Sequence, residues 1–128
     1  MSNIPENLFY TKEHEWALVE GDTAVIGITD FAQKQLTDIV YVEVPETGTQ
    51  LKKDSTFGVV ESVKSVSDIF SPLTGEVIAA NNEVIDAPEL INQDPYGKGW
   101  LVKIKMADKS ELDSLLNAKE YEDVTEQE

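Results

Sequence analysis

Apolar residues recur at every second position in short runs, and turn-forming residues interrupt those runs at close intervals. A period of two puts alternate side chains on one face of a pleated strand, so the pattern predicts small strands closing into a sandwich or barrel. From Thr23 to Ile28, Ala24, Ile26 and Ile28 alternate with Val25 and Gly27, and from Ile39 to Val44 the residues Val40, Val42 and Val44 share a face. Phe57 to Ser62, Gly75 to Ala80 and Trp100 to Met106 are further strands, the last with Trp100, Val102, Ile104 and Met106 in register. Turn chemistry falls between them, at Pro45-Glu46-Thr47-Gly48, Ser71-Pro72-Leu73-Thr74-Gly75, Asn81-Asn82 and Pro95-Tyr96-Gly97, where Pro fixes φ and Gly or Asn tolerates positive φ.

Two stretches break the period. Asp30-Phe31-Ala32-Gln33 opens like a capping box and leads to Leu36, predicting a short helix. After Ala107, Asp108 and Glu111 form a second capping-box pattern, with Leu112, Leu115 and Leu116 at helical spacing. An amphipathic helix over about 108–120 is expected to close the domain, with an acidic, frayed or disordered tail over 121–128. The fold expected is mainly β, with short helices and a C-terminal α-helix, in one domain spanning 1–128.

Composition removes several function classes. The chain has no cysteine, hence no thiol nucleophile, disulfide or zinc-thiolate site of its own. Its formal net charge of −15, from 25 acidic and 10 basic residues, repels phosphate backbones and favours basic protein partners and a monomeric state. Nucleic acid is not an expected ligand, and no metal site is expected. No segment approaches the ~20 apolar residues of a membrane span and the N-terminus has no basic start or apolar run, so a cytoplasmic chain without membrane contact is expected.

Against this background Lys64 stands out, because it is the only Lys or Arg between Lys53 and Lys98. It lies within Glu61-Ser62-Val63-Lys64-Ser65-Val66-Ser67-Asp68, between two valine-containing segments spaced for a hairpin that would put the amine at its tip. A lysine needs desolvation to act as a Schiff-base nucleophile at neutral pH, and serines and carboxylates supply none. Acylation by an enzyme that reaches the tip fits better; an ordinary solvated turn lysine is the other reading, and spacing alone leaves both open.

Glu61-Ser62-Val63-Lys64-Ser65, with Asp68, Ser71-Pro72 and Gly75-Glu76-Val77 after it, resembles the lipoyl-attachment region of the glycine cleavage system H protein family. Tyr10-Thr11-Lys12-Glu13-His14-Glu15-Trp16, Gly27-Ile28-Thr29-Asp30-Phe31-Ala32-Gln33 and Asn92-Gln93-Asp94-Pro95-Tyr96-Gly97-Lys98-Gly99-Trp100-Leu101 resemble further signature stretches, in the family's order, from about Leu8 to Tyr121. A biotinyl carrier would set the lysine between methionines, and acyltransferase lipoyl domains usually show Asp-Lys-Ala at the tip; Val63 and Ser65 flank it here.

The resemblance implies a barrel-sandwich hybrid, lipoyl/biotinyl-domain-like, of two small antiparallel sheets, with the lipoyl-binding core over about 22–106. Lys64 would carry (R)-lipoate in amide linkage, and the protein would be a carrier without catalytic residues. The implied partners are a pyridoxal-phosphate glycine decarboxylase, a tetrahydrofolate-dependent aminomethyltransferase, dihydrolipoamide dehydrogenase, and a lipoate ligase or octanoyl/lipoyl transferase. The aminomethyl group of glycine would pass from the first enzyme to the second on the arm; relay of lipoate to other lipoyl domains is the alternative role. Asp68 matches a position near the lysine that either orients the arm or is read by the lipoylating enzyme, Glu61 is the better candidate for recognition in lipoylation because it lies three residues before Lys64, and Glu15 matches a position that can hold the loaded arm's amine in a cleft. The chain departs from the family pattern at Gln35, where some members carry a cleft-lining histidine, and at Glu13, where a small polar residue is common. His14, the one histidine, has no partner at catalytic or metal spacing and reads as structural, as Trp16, Trp100 and Tyr96 read as packing. Gly97 and Gly99 lack the strand-to-helix context of a phosphate loop.

Overall fold

The computed structural model describes residues 2–128, and its strands form two antiparallel sheets. The chain runs β1 (Phe9–Tyr10), β2 (Glu15–Glu20), β3 (Thr23–Ile28), α1 (Asp30–Leu36), β4 (Ile39–Glu43), β5 (Gln50–Leu51), β6 (Thr56–Ser62), β7 (Val66–Phe70), β8 (Gly75–Ala80), α2 (Asn82–Asp86), α3 (Glu89–Gln93), β9 (Val102–Met106), a 3-10 turn (Lys109–Ser114) and α4 (Ala118–Glu126). The larger sheet has the order β1-β2-β3-β9-β8-β5 and the smaller one β4-β6-β7. No helix among the described residues is long and apolar enough to cross a membrane.

The alternation read in the sequence becomes the core. Ala24, Ile26, Val77, Val102 and Ile104 are buried together from the larger sheet, while Ile39, Val42, Val60 and Ile69 of the smaller sheet meet Val84 of α2 and Ile91 of α3. Val44 and Phe57 pack against both clusters and so tie the two sheets together. Expected and observed bounds coincide for β3 and β8.

β4 departs from the expected alternation. Val42 is buried but Val40 is exposed, because the pairing with β6 shifts between Ile39 and Tyr41. A bulge adds one residue and reverses the facing of what precedes it, so Ile39 takes the inward position. Asn81-Asn82 is likewise more than a turn. Asn81 caps α2, its side chain accepting from the Glu83 N–H at 3.2 Å and donating to the carbonyls of Lys98 and Trp100. Trp100 lies outside β9 and packs, half-buried, against the cluster of Tyr10, Trp16 and Tyr121.

The C-terminal expectation is corrected. In place of one helix over 108–120 and a frayed tail over 121–128, the chain makes the 3-10 turn, pairs Leu116 with Tyr10 as an isolated β-bridge, and starts α4 at Ala118. Glu111 does not cap; its carboxylate accepts from the backbone N–H and hydroxyl of Thr74 at 2.7 and 2.8 Å, anchoring the segment to the turn before β8. The working capping box is Asn117 with Glu120. Tyr121, assigned to the tail, is fully buried and stacks on Tyr10 with ring centroids 4.6 Å apart. In α1 the cap is Thr29, one residue before the expected Asp30.

Candidate functional site

Lys64 sits on the turn joining β6 to β7, and the serine before it shapes that turn. The Ser62 hydroxyl accepts from the backbone N–H groups of Lys64 and Ser65 at 3.2 and 3.1 Å, and the Ser62 N–H donates to the Ser65 carbonyl at 2.8 Å. A further bond, from the Val63 N–H to the Asp38 carbonyl at 3.0 Å, pins the tip to the loop before β4. The backbone of the turn is thus fixed while the Lys64 side chain is exposed, and among the described residues no ion pair or side-chain hydrogen bond holds its ammonium. An acyl group on that amine would displace no hydrogen bond or ion pair among the described residues, and a cysteine-free chain offers it no competing thiol. The residues present therefore fit a lipoyl group in amide linkage.

Register places the flanking carboxylates. Glu61 pairs with Val66 on one side and Tyr41 on the other, and one turn of the alternation further on Val59 pairs with Asp68 and Glu43. Between these rows Val42 and Val60 point into the core, so Glu61, Asp68 and Glu43 share the outer face of the sheet that carries Lys64.

Glu15 is a different kind of residue. It opens β2 with a side chain only 2% exposed, so it is no surface carboxylate. One carboxylate oxygen accepts from the Thr11 hydroxyl at 2.6 Å and the other from the backbone N–H of Phe70 at 3.1 Å. Burial pushes its pKa up to about 7, with the charges of Glu13 and Asp54 acting the same way and the two hydrogen bonds opposing. Glu13, Glu15, Asp54 and Phe70 line a cleft of about 290 Å³. Of the two departures from the family pattern, Glu13 is therefore at this cleft, whereas Gln35 is exposed on α1 and is not part of its lining. Lys64 and Glu15 are not brought together: the lysine precedes β7 and Phe70 ends it, a strand span of roughly 16 Å.

His14 belongs to packing. At φ 75° it turns its ring onto Phe31 and places Nδ1 2.8 Å from the Tyr121 hydroxyl, which in turn lies 2.7 Å from the Thr29 hydroxyl. Its Nε2 is 3.0 Å from a Glu128 carboxylate oxygen. No group of three or more metal-ligating side chains occurs among the described residues. Sequence reasoning missed Thr11 and the Phe70 N–H as the groups that hold Glu15; Thr11 lies four residues before Glu15, a spacing meaningful only once the Thr11–Glu15 turn is known.

A family model described as glycine cleavage H-protein matches residues 8–128. The chain belongs to that family. The H protein of Halothermothrix orenii is 57% identical over 119 residues, covering 93% of each chain, and that of Carboxydothermus hydrogenoformans is 50% identical over 128 residues, covering 100% of this chain and 98% of the relative. Among solved structures, the H protein of Mycobacterium marinum matches with a TM-score of 0.84 at 36% identity, covering 92% of this chain and 95% of its own. The two sheets described above are thus those of the H-protein fold, a lipoyl-domain barrel-sandwich.

Proposed function

We propose that this H-protein family member is the lipoyl-lysine carrier of glycine cleavage, with Lys64 as N6-lipoyllysine. The observation that carries the reading is the exposed side chain of Lys64 on a turn whose backbone is fixed by Ser62 and Asp38. Bound there, lipoate would supply the disulfide that accepts the aminomethyl group from the decarboxylase, yields it to the aminomethyltransferase, and is reoxidised by dihydrolipoamide dehydrogenase. The chain itself contributes presentation and shelter. Lys64 holds the arm beyond the sheet, while Glu61 and Asp68, on the same outer face, give the lipoate ligase or transferase charged groups to read. Glu15 offers a carboxylate to a cationic amine in its cleft, and the rise of its pKa to about 7 supports that role: an ammonium entering the cleft would relieve the burial of its charge. Removing the carboxylate's charge as Glu15→Gln should shorten the lifetime of the loaded protein while lipoylation of Lys64 proceeds normally. The acidic chain meets its enzymes in the cytoplasm through basic surfaces on their side.

The experiment is complementation. Lys64→Arg should fold, yet fail to restore glycine cleavage to a strain lacking its own H protein; growth restored by that variant would end the reading.

A further inference from the structure

The turn that leads into Glu15 is held in a conformation its own sequence disfavours. His14 has φ 75°, in the left-handed region that a residue with a β-carbon enters at a cost. Three backbone bonds close around that angle: the His14 N–H donates to the Thr11 carbonyl at 3.2 Å, the Thr11 N–H to the Glu15 carbonyl at 3.0 Å, and the Thr29 N–H to the His14 carbonyl at 3.0 Å. The closed turn puts the Thr11 hydroxyl where it accepts from the N–H groups of Glu13 and Glu15, each at 3.2 Å, and donates to the Glu15 carboxylate at 2.6 Å. The cleft carboxylate thus takes its place from the backbone at His14. What fixes that backbone lies on and beyond α4. The His14 imidazole has Nδ1 2.8 Å from the Tyr121 hydroxyl, Nε2 3.0 Å from a Glu128 carboxylate oxygen, and its ring against Phe31 with centroids 4.8 Å apart. Tyr121, buried and stacked on Tyr10, also lies 2.7 Å from the hydroxyl of Thr29, the residue whose N–H meets the His14 carbonyl. With the imidazole proton on Nε2 the bonds run one way, from Thr29 to Tyr121, from Tyr121 to Nδ1 and from Nε2 to Glu128, so that each donor meets an acceptor. A relaxed φ at His14 would swing the ring away and leave the buried Tyr121 hydroxyl a partner short, so the anchors on the ring offset the strain in the backbone.

Resting on the reading of Glu15 as the residue that holds the loaded arm's amine, we propose that His14 and Tyr121 are positioning residues for that cleft, and that α4 sets how long the load is kept by holding the turn that presents Thr11 to Glu15. Neither residue lines the cleft, whose walls are Glu13, Glu15, Asp54 and Phe70. Their action is through the peptide link from His14 to Glu15 and through the Thr11 hydroxyl. Packing alone makes a different demand. If the two rings only fill space, removing more of them can only make matters worse. If they hold a positive φ, glycine at position 14 does the same work without them, because it enters that region freely.

The test uses the full-length lipoylated chain, loaded from glycine by the decarboxylase and then separated from it, with loss of the aminomethyl group followed by intact mass in the absence of aminomethyltransferase. Tyr121→Phe removes one hydroxyl and keeps the ring that stacks on Tyr10. It should shorten the lifetime of the load by about threefold or more, the order of one lost hydrogen bond. Adding His14→Gly to that variant should bring the lifetime back to within about twofold of the parent, although more packing has been removed. His14→Val should shorten it with Tyr121 intact, because a β-branched residue resists positive φ. Val124→Ala, on the same helix and packed against the same cluster, should lower the melting temperature and leave the lifetime unchanged. Parental lifetimes for Tyr121→Phe and His14→Val, with Glu15→Gln still short-lived, would overturn this proposal alone. A glycine that fails to rescue, or a load lost as fast from Val124→Ala as from Tyr121→Phe, would overturn it too and return both residues to packing. A parental lifetime for Glu15→Gln would overturn it together with the cleft reading, and a parent that takes no load would overturn it together with the carrier reading.

Discussion

Lys64 and Glu15 carry the two ends of the proposed chemistry, and the fold treats them in opposite ways. Lys64 has a rigid backbone and an unheld side chain; Glu15 has a side chain held at both oxygens and almost no exposure. An arm that must travel needs its root fixed and its head free. A group that waits for a cation needs fixed geometry and a charge kept uncomfortable until the cation arrives. The second requirement costs stability and the first does not, so substitutions at the two positions should separate cleanly.

The largest effect expected is at Lys64. Lys64→Arg should abolish lipoylation entirely while the thermal midpoint stays within about 1 °C of the parent, because the side chain is exposed and makes no ion pair or hydrogen bond among the described residues. A midpoint lowered by many degrees would mean that the lysine is structural. Next in size is the pH dependence due to Glu15. Between pH 4.5 and about 7 the folded chain keeps a proton on this carboxyl that the unfolded chain has released, so its contribution to stability falls as pH rises through that window and is flat above it. Measured by denaturant titration, the parent should lose roughly 3 kcal/mol relative to Glu15→Gln from the bottom of that window to its top. A constant difference across the window would show that Glu15 is ionised throughout.

Smaller again, Thr11→Val removes the hydroxyl that donates to Glu15 and should destabilise the protein by about 1–2 kcal/mol while moving the stability window to higher pH. An unmoved window would take Thr11 out of the account. The mildest change is at the lysine's own face, where Glu61→Gln and Asp68→Asn should slow lipoylation by a factor of about 2–5 with no change in unfolding, in keeping with charges that steer an encounter more than they hold a complex. Rates equal to the parent's would remove both carboxylates from recognition.

The same two residues show what was legible before folding. Lys64 could be found because its isolation and its flanking valines are local: a hairpin brings its own neighbours together, so sequence order is also spatial order. Glu15 could be singled out by resemblance but not understood, because its partners come from Thr11 across a turn and from Phe70 at the end of a strand in the other sheet. The strand-rich core was readable from period alone at β3, whose pairing runs without a shift, and at β8 as far as Val77, before its own register shift against β9. It misled at β4, where one bulged residue reverses the facing and no period records it. At the C-terminus, leucines at helical spacing outweighed the Asn117–Glu120 box, and acidic neighbours hid Tyr121, whose burial depends on Tyr10 more than a hundred residues away. Helices of five residues such as α2 and α3 are too short to show a period at all.

The measurement that bears most directly on the carrier account is intact mass followed by peptide mapping of the protein isolated from a lipoylation-competent host. The account predicts one lipoyl group per chain, found on the peptide containing Lys64 and absent from those containing Lys53 and Lys98. Lipoate on another lysine, or a chain that remains unmodified in such a host, would contradict it.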